Sequence, residues 1–387
     1  NPGNSGGPLL TVEGDVIGVN TFGIKATASG LSVEGFGFAV SQRTISEVLP
    51  GLKSQGLVTL PTATPTTQTT SGYGPIDGAI NHNPDDGLID GFDLRSFSSN
   101  IVIEATFENP YSASVGSWDH GFTFRALNFN SFHAVIIRSD GKWYHIMRLG
   151  EVSSSEVLDS GQSSAIDTNA TSTNKIQVSV VDNEAWLFIN GSFISKLDVS
   201  GLTESGDVSV ISGYFNGDGV SGAITSFKGL TVRPLISHTV ANGELAHDPS
   251  AGTIKTRRMS ITSDDMIVQA RFTNPYPSQD GPWDYGFLFR RSSSNTFHAV
   301  GIHSNGTWFH RVRLGSVDST KNLGEGGSSQ ILLGNGEANK LSIVAIGDEA
   351  WFFINDAYIT KLNLSDLRQA GDIAVITGYF TGDEIAG

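Results

Sequence analysis

Trp118-Asp119-His120-Gly121-Phe122 is the stretch that decides the fold of most of this chain, because it returns 165 residues later as Trp283-Asp284-Tyr285-Gly286-Phe287. Other stretches return at the same offset, and no gap is needed anywhere between them. The further matching pairs are Phe107–Tyr111 with Phe272–Tyr276, Phe132–Val135 with Phe297–Val300, Trp186–Asn190 with Trp351–Asn355, and Gly213–Phe215 with Gly378–Phe380. A period this long predicts two copies of a whole domain, since the units of solenoid proteins are only ~20–50 residues long.

Within each copy, apolar and polar residues alternate with the period of two that is typical of β-strands. In the first copy the predicted strands are residues 101–107, 121–125, 133–138, 142–149, 175–181 and 185–190. Ser139-Asp140-Gly141 and Asn190-Gly191 are hairpin signals at the ends of two of them. Many short strands separated by turns predict an all-β sandwich, and about 160 residues per copy fit a two-sheet jelly roll.

Two stretches of the first copy resemble a known fold family. Residues 186–191 read Trp-Leu-Phe-Ile-Asn-Gly, and residues 196–200 read Lys-Leu-Asp-Val-Ser. This pattern resembles the concanavalin A-like lectin/glucanase superfamily, including its laminin-G-like members. The resemblance implies modules that attach the protein to a polysaccharide, a glycoprotein or a surface.

The segment from Pro61 to Gly72 is rich in Thr and Pro and has no apolar periodicity, which predicts an extended spacer. The resulting domain map has an N-terminal segment at 1–57, a linker at 58–73, and jelly-roll repeats at 74–236 and 237–387. The second copy stops at Gly387, the counterpart of Gly222. We therefore expect it to lack a counterpart of the strand-like stretch 225–232, and we expect the chain to be a fragment.

Composition limits the classes of partner. The chain has 387 residues, a formal net charge of −15 and no cysteine. Net negative charge argues against binding to nucleic acid or to anionic membrane surfaces, since those partners need basic patches. No disulfide can form, and no apolar run reaches the ~18 residues of a membrane helix. A cysteine-free, Gly-rich all-β chain fits a secreted bacterial protein, so we expect it outside the cell or on the cell surface.

The chain opens with Asn1-Pro2-Gly3-Asn4-Ser5-Gly6-Gly7-Pro8, in which a serine lies between glycines. Glycines permit backbone angles closed to other residues, so this loop can present Ser5 Oγ and several backbone N–H groups to one small volume. Acyl transfer needs such a nucleophile beside donors for the developing oxyanion. A Gly-rich turn between strands is the alternative interpretation.

This loop resembles the nucleophile loop of the trypsin-like serine peptidases, and its Asn4 is typical of their HtrA-like bacterial branch. Residues 15–23 and 35–40 resemble the next two strands of that family, and Ser41 resembles the N-cap of a helix that runs to about Leu49. The resemblance covers residues 1–57 and implies part of a trypsin-like β-barrel with a C-terminal helix. The whole chain is thus predicted to be an all-β partial barrel followed by two tandem jelly rolls.

The resemblance also implies roles for individual residues. Ser5 would be the nucleophile, with the backbone N–H groups of Gly3 and Ser5 forming the oxyanion hole. Thr21, Phe22 and Gly23 would offer a strand edge to an extended polypeptide substrate. In the family the triad His and Asp precede the serine, whereas the first histidine here is His82. We therefore expect a serine endopeptidase parent and an inactive fragment. The alternative is a non-enzymatic adhesion protein with a degenerate peptidase domain.

The repeats present a candidate ligand face on the side of the strands opposite the predicted core. Aromatic rings and arginines there can stack a sugar ring or bind a carboxylate. The residues predicted on this face are Arg125, Tyr144, Arg148, Arg290, Phe309 and Arg313. A solvated outer face is the alternative interpretation. Neither copy shows the paired carboxylates that glycoside hydrolysis needs, so the repeats are expected to bind without cleaving. Two sites on one chain predict avidity toward a polymer.

No cofactor is predicted from the polar residues that recur in both copies. His133/His298 and His145/His310 recur, but two histidines per copy do not make a zinc site without further ligands. They are interpreted as half-buried structural side chains. A structural calcium ion at the Gly- and Asp-rich loops of Asp218 and Asp383 is a weaker alternative.

Overall fold

The computed structural model describes residues 8–10, 16–26, 32–41, 72–82, 89–94, 98–151, 154–215, 219–235, 242–246 and 253–380, the first three ranges as backbone only. The chain divides into two compact units, residues 1–69 and 70–387. In the first unit, β1 (Pro8–Leu10), β2 (Val16–Ala26) and β3 (Ser32–Ser41) form an antiparallel sheet in the order β1-β2-β3. The helix predicted from Ser41 to Leu49 lies outside the described residues, apart from Ser41, which ends β3.

The first repeat is a sandwich of two six-stranded antiparallel sheets. Its strands are β4 (Tyr73–Asn81), β5 (Asp90–Leu94), β6 (Ile101–Glu108), β7 (Asp119–Asn128), β8 (Ser131–Arg138), β9 (Lys142–Leu149), β10 (Glu156–Gln162), β11 (Thr173–Val181), β12 (Glu184–Ile189), β13 (Ser192–Asp198), β14 (Asp207–Ser212) and β15 (Ile224–Pro234). The back sheet has the order β13-β12-β11-β6-β15-β4, and the front sheet has the order β10-β9-β8-β7-β14-β5. The jelly-roll prediction is confirmed.

The second repeat forms a matching sandwich. Its strands are β16 (Lys255–Ser263), β17 (Met266–Thr273), β18 (Asp284–Ser293), β19 (Thr296–His303), β20 (Thr307–Leu314), β21 (Lys321–Gly327), β22 (Ala338–Ile346), β23 (Glu349–Ile354), β24 (Ala357–Asn363) and β25 (Gly371–Thr377). Its front sheet has the order β16-β25-β18-β19-β20-β21, and its back sheet has only β17-β22-β23-β24. Among the described residues, nothing corresponds to β4 or β15.

Each sandwich has an apolar core between its two sheets. In the first, Phe107 from the back sheet meets Phe122 from the front sheet with ring centroids 5.4 Å apart, and both side chains are fully buried. In the second, Phe272 and Phe287 repeat this contact at 5.5 Å. Each buried Phe contributes about 1.5–3 kcal/mol of transfer free energy. No helix in the described part of the chain is long and apolar enough to span a membrane.

The two sandwiches pack against each other through the outer faces of their back sheets. Trp186 and Phe188 of β12 form one buried apolar cluster with Trp351 and Phe353 of β23. The Phe188 and Trp351 rings are 3.8 Å apart, and Trp351 Nε1 donates a hydrogen bond to the Gly191 carbonyl at 3.2 Å. Because the back sheets meet, the two front sheets face in opposite directions.

Candidate functional site

The predicted peptidase residues fall partly outside the described chain. Ser5 and Gly3 lie outside it, while residues 21–23 lie on β2, where Phe22 pairs with Phe38 and Gly23 with Gly37 of β3. β1 pairs with β2 only as far as Val19, so residues 21–23 lie beyond that overlap. The roles assigned to Ser5, Gly3, Thr21, Phe22 and Gly23 remain predictions.

The prediction that Arg125 and Arg290 project onto the ligand face is wrong. Both side chains are buried at 1% exposure in the interior of their sandwiches. Arg125 donates hydrogen bonds of 3.1–3.2 Å to the carbonyls of Ser99, Val199 and Leu202, and one of 2.5 Å to that of Asp182. Arg290 binds the Asp264, Leu367 and Gly347 carbonyls in the same way. These arginines therefore hold loops together and cannot reach a ligand.

A backbone irregularity turns both arginines inward. Arg125 and Arg290 have φ values of 50° and 48°, in the left-handed region, and the pairing register shifts just after the preceding Phe in each copy. Such a bulge breaks the alternation of side chains along a strand. Gly206 and Gly371 permit it, since a Cβ there would lie 2.6 Å and 2.2 Å from the backbone carbonyl carbon of the respective arginine.

Arg148 and Phe309 lie on the outer face of the front sheets as predicted, but aromatic side chains cover them. Arg148 is only 6% exposed and sits between the Phe132 and Tyr214 rings, 4.9 Å and 5.4 Å from their centroids. Its Nε donates to Ser155 Oγ at 2.9 Å. Phe309, at 3% exposure, stacks on Tyr379 at 5.2 Å. The expectation of solvent-exposed side chains is wrong for these two.

Arg313 and Tyr144 are half-buried on the same outer faces. Arg313 repeats the arrangement of Arg148, with its guanidinium 5.0 Å from the Phe297 ring and 6.0 Å from the Tyr379 ring. Its Nε donates to Thr320 Oγ1 at 3.0 Å. In each sandwich, one arginine of the front sheet thus packs between two aromatic rings on the outer face.

The covering segments are Gly213–Phe215 and Gly378–Phe380, and a buried aspartate fixes each of them. Asp119 accepts hydrogen bonds from the Tyr214 and Phe215 backbone N–H groups, both at 3.0 Å. Asp284 does the same for Tyr379 and Phe380 at 2.9 Å and 3.0 Å. Hydrogen bonds to a carboxylate are stronger than neutral ones. Sequence reasoning missed this pairing, although both partners recur at the 165-residue offset.

The part of the covered face that reaches solvent is a small cluster that we call the front patch: Arg138, Tyr144 and Phe215. All three are half-buried, the Arg138 guanidinium lies 4.6 Å from the Phe215 ring centroid, and the Tyr144 ring lies 4.8 Å from it. In the second sandwich the counterparts are His303, Phe309 and Phe380. A flat aromatic ring beside a cation suits stacking of a sugar ring with a polar contact at its rim.

The recurring histidines form buried pairs. His133 Nδ1 and His145 Nε2 are 3.1 Å apart, and the distance between His298 Nδ1 and His310 Nε2 is the same. All four rings are at most 1% exposed, so they are fully buried and not half-buried as predicted. Burial lowers the pKa of each histidine, which keeps the pairs neutral at pH 7.

The described residues include no group of side chains suited to binding a metal ion. No three His, Cys, Asp or Glu side chains of these residues are grouped so that they could hold an ion. The calcium site considered at Asp218 and Asp383 lies outside the described residues.

No protein-family model matches the chain. A short segment is similar to curated bacterial proteases: the serine protease Do-like HtrA of Lactococcus lactis subsp. cremoris is 42% identical over 62 residues, 16% of this chain and 15% of that protein. The corresponding HtrA of Lactobacillus helveticus is 39% identical over 61 residues, and HtrB of Bacillus subtilis is 43% identical over 61 residues. The chain spans at most 15% of the length of these relatives.

Solved structures resemble the sandwiches only weakly. The carbohydrate-binding module CBM66 from Bacillus subtilis is 8% identical with a TM-score of 0.28, covering 42% of this chain and 96% of its own. Domains LG4-5 of the mouse laminin alpha1 chain are 10% identical with a TM-score of 0.27, covering 81% and 88%. TM-scores this low identify no ligand. About 16% of the chain is similar in sequence to HtrA-like serine proteases, and the described part of residues 72–380 consists of two jelly-roll sandwiches.

Proposed function

We propose that this chain is part of a secreted HtrA-like serine endopeptidase that carries two binding modules. The observation that carries the peptidase half is the Gly3-Asn4-Ser5-Gly6-Gly7-Pro8 loop in a chain with a segment 42% identical to a bacterial HtrA. In this proposal Ser5 Oγ attacks the scissile carbonyl and forms an acyl-enzyme. The Gly3 and Ser5 backbone N–H groups stabilise the oxyanion, and residues 21–23 of β2 align the substrate.

The general base is not among residues 1–81, because they contain no histidine. A serine without its base loses most of its reactivity, so the chain alone is expected to hydrolyse no peptide and to take no label from a fluorophosphonate. Stoichiometric labelling that Ser5→Ala abolishes would contradict this expectation.

A chimera tests the assignment of Ser5 directly. Residues 1–57 replace the matching segment of Lactococcus lactis HtrA, whose own remainder then supplies the other catalytic groups. The chimera should cleave unfolded β-casein and bind a fluorophosphonate, and Ser5→Ala in the chimera should remove both activities. A folded chimera with neither activity would favour the degenerate, non-enzymatic alternative.

The sandwiches are proposed to bind carbohydrate through the front patch, which attaches the peptidase to a polysaccharide or glycoprotein. The support is the partly exposed Phe215 ring, held against Arg138 and Tyr144 by the Asp119 anchor. We expect a sugar ring that stacks on one aromatic side chain to bind weakly at each single site, since such a contact buries little surface.

Retention of the full chain on a panel of insoluble polysaccharides tests this proposal. Phe215→Ala combined with Phe380→Ala should abolish retention that the unchanged chain shows, while Lys228→Ala, an exposed change on the back sheet, should leave it intact. Circular dichroism and thermal unfolding establish that the double variant is folded. Equal retention of the double variant and the unchanged chain would exclude the front patch as the site.

A further inference from the structure

A polar cluster lies beside the aromatic rings on the front sheet of the second sandwich. We call it the polar rim: Arg311, Asn322 and Glu325. Glu325 of β21 lies opposite Phe309 of β20, and Asn322 lies opposite Arg311. The Arg311 guanidinium is 5.9 Å from the centroid of the Phe380 ring. Side chains directly opposite each other on antiparallel strands are about 5 Å apart on one face, so the polar rim borders the aromatic surface.

Arg311 fixes the other two members of the polar rim. Its Nη2 donates a hydrogen bond to Glu325 Oε2 at 2.6 Å, and its Nη1 donates to Asn322 Oδ1. The Gly324 N–H donates to the same Asn322 oxygen at 3.0 Å, which leaves the Asn322 Nδ2 group to donate to a ligand. The Arg311 side chain is 14% exposed and that of Glu325 is 58% exposed. The charge that a ligand reaches here is therefore the Glu325 carboxylate.

The first sandwich has other side chains at the three matching positions. The counterparts of Arg311, Asn322 and Glu325 are Ile146, Val157 and Ser160. Val157 lies opposite Ile146 on the same strand pair, and Ile146 is 1% exposed, so an apolar pair replaces the cation and the amide. No ionised group occupies any of these three positions.

The charge beside the Phe215 ring also differs from that beside Phe380. The Arg138 guanidinium lies 4.6 Å from the Phe215 centroid. The exposed Asp140 carboxylate is 3.9 Å from Arg138 Nη1 and 3.3 Å from Lys142 Nζ, so two cations share one carboxylate. At Phe380, by contrast, one largely covered cation is paired with an exposed carboxylate. The two patches thus combine a similar ring with different accessible charges.

We propose that the Phe380 patch with its polar rim binds neutral sugars and rejects acidic ones, whereas the front patch of the first sandwich accepts both. This inference rests on the carbohydrate binding proposed above and assigns a ligand class to each site. When a sugar ring stacks on Phe380, the Glu325 carboxylate can accept hydrogen bonds from two adjacent hydroxyls, and Asn322 can donate one. A carboxylate or sulfate on the sugar would meet the Glu325 charge and be repelled.

Matched polysaccharide beads test this assignment. Dextran, cellulose and agarose are each used as the neutral polymer and as the carboxymethyl derivative, at pH 8, where carboxymethyl groups are ionised. Phe215→Ala leaves only the Phe380 patch and Phe380→Ala leaves only the Phe215 patch, while both variants keep the same net charge. The ratio of retention on the neutral form to retention on the carboxymethyl form should be about three- to tenfold higher for Phe215→Ala, as repulsion between exposed charges predicts.

Charge exchanges at matching positions separate the polar rim from the rest of the molecule. Added to Phe215→Ala, Glu325→Gln should weaken retention on the neutral polymer and strengthen it on the carboxymethyl form. Added to Phe380→Ala, Ser160→Glu should create a preference for the neutral form. Glu349→Gln makes the same charge change as Glu325→Gln in the back sheet of the second sandwich, and should alter neither ratio.

The outcomes distinguish this assignment from the carbohydrate binding on which it rests. Loss of retention of both single variants on every bead would overturn the carbohydrate proposal and the assignment together. Equal ratios for two retained variants, retention of Phe380→Ala alone, or a ratio that Glu325→Gln does not change would overturn only the assignment. The Arg311–Glu325 contact would then be an ordinary surface ion pair.

Discussion

Arg290 has a structural role, and replacing it should lower the stability of the second sandwich. Its guanidinium is the hydrogen-bond donor for the Asp264, Leu367 and Gly347 carbonyls at the end of the core. Arg290→Met removes these charge-assisted hydrogen bonds and should lower the free energy of unfolding by about 3 kcal/mol. Urea unfolding measures this. Arg368→Met, which removes an exposed ion pair to Asp348, is the control and should change stability by less than about 1 kcal/mol.

His120 and Tyr285 occupy the same position in the two sandwiches, each stacked between a Trp and a Phe. The Tyr285 hydroxyl donates to Asn274 Oδ1 at 2.6 Å, whereas neither His120 ring nitrogen has a hydrogen-bond partner within the described residues. His120→Tyr should therefore stabilise the first sandwich by about 1–2 kcal/mol, since the matching Asn109 is in place. Tyr285→His should destabilise the second by a similar amount. Thermal unfolding measures both effects. A lower melting temperature for His120→Tyr, or a higher one for Tyr285→His, would refute the hydrogen-bond explanation.

His120 also predicts a pH dependence of stability. Burial lowers its pKa to about 3, so the folded state stays unprotonated where the unfolded state, with a pKa near 6.5, takes up a proton. Stability should therefore be constant above pH 6.5 and fall as pH drops from there toward 3, by about 1.4 kcal/mol per pH unit for this residue. Urea midpoints at pH 7, 5.5 and 4.5 measure the slope. His120→Tyr should make it shallower by that amount; an unchanged slope would assign the effect to the histidine pairs alone.

At the scale of single elements, Asp119 controls whether the front patch forms. Asp119→Ala removes two charge-assisted hydrogen bonds from the Tyr214 and Phe215 amides and should release this segment from the sheet. Amide exchange of residues 213–215 should accelerate by about tenfold or more, as the loss of about 1.5–3 kcal/mol per such bond implies. Asp198→Ala, at the exposed end of β13 in the back sheet, should leave those amides unchanged. Unchanged exchange in Asp119→Ala would mean that the aromatic contacts alone hold the segment.

Most strands could be predicted from the sequence, because the alternation of apolar and polar residues along a strand is a local pattern that can be seen without knowing the strand's neighbours. Lys142–Leu149 has the same bounds in prediction and structure, and the other five predicted strands agree within three residues at each end. The orientation of Arg125 could not be predicted, because a positive φ at one residue reverses the face without altering the local composition. The cover over Arg148 could not be predicted either, since it depends on a contact with Tyr214, far along the chain.

At the scale of the paired sandwiches, the back-to-back contact is nearly symmetric. Trp186 and Trp351 are counterparts, and each has a lysine near its ring, Lys196 at 5.9 Å and Lys361 at 5.7 Å. One difference between the two sides is an ion pair, because Lys196 Nζ lies 2.7 Å from the Asp356 carboxylate, whereas the counterpart of Asp356 is Gly191. The apolar cluster at the centre of this contact fixes the sandwiches as one body, with their front patches pointing in opposite directions.

Because the two front patches face in opposite directions, we expect the chain to cross-link two surfaces and not to bind one surface with avidity. Two sites that face apart cannot both lie on one flat surface, so the gain of ~10²–10⁴ that linked sites can provide is lost there. They can instead bridge two surfaces. If the front patches bind carbohydrate as proposed, the full chain should aggregate polysaccharide-coated beads, with a maximum at intermediate protein concentration because excess protein saturates each bead separately. Light scattering against protein concentration measures this.

Single-site variants separate bridging from binding. Phe215→Ala and Phe380→Ala, tested one at a time, should each leave one working patch, so beads should still retain the protein but no longer aggregate. Trp351→Ala removes the ring contact with Phe188 and the hydrogen bond to Gly191 at the back-to-back contact, and should let the two patches turn toward one surface. That variant should bind a single coated surface more tightly and aggregate beads less. Tight, avid binding of the unchanged chain to one surface without bead aggregation would show that the sandwiches do not keep the back-to-back arrangement in solution.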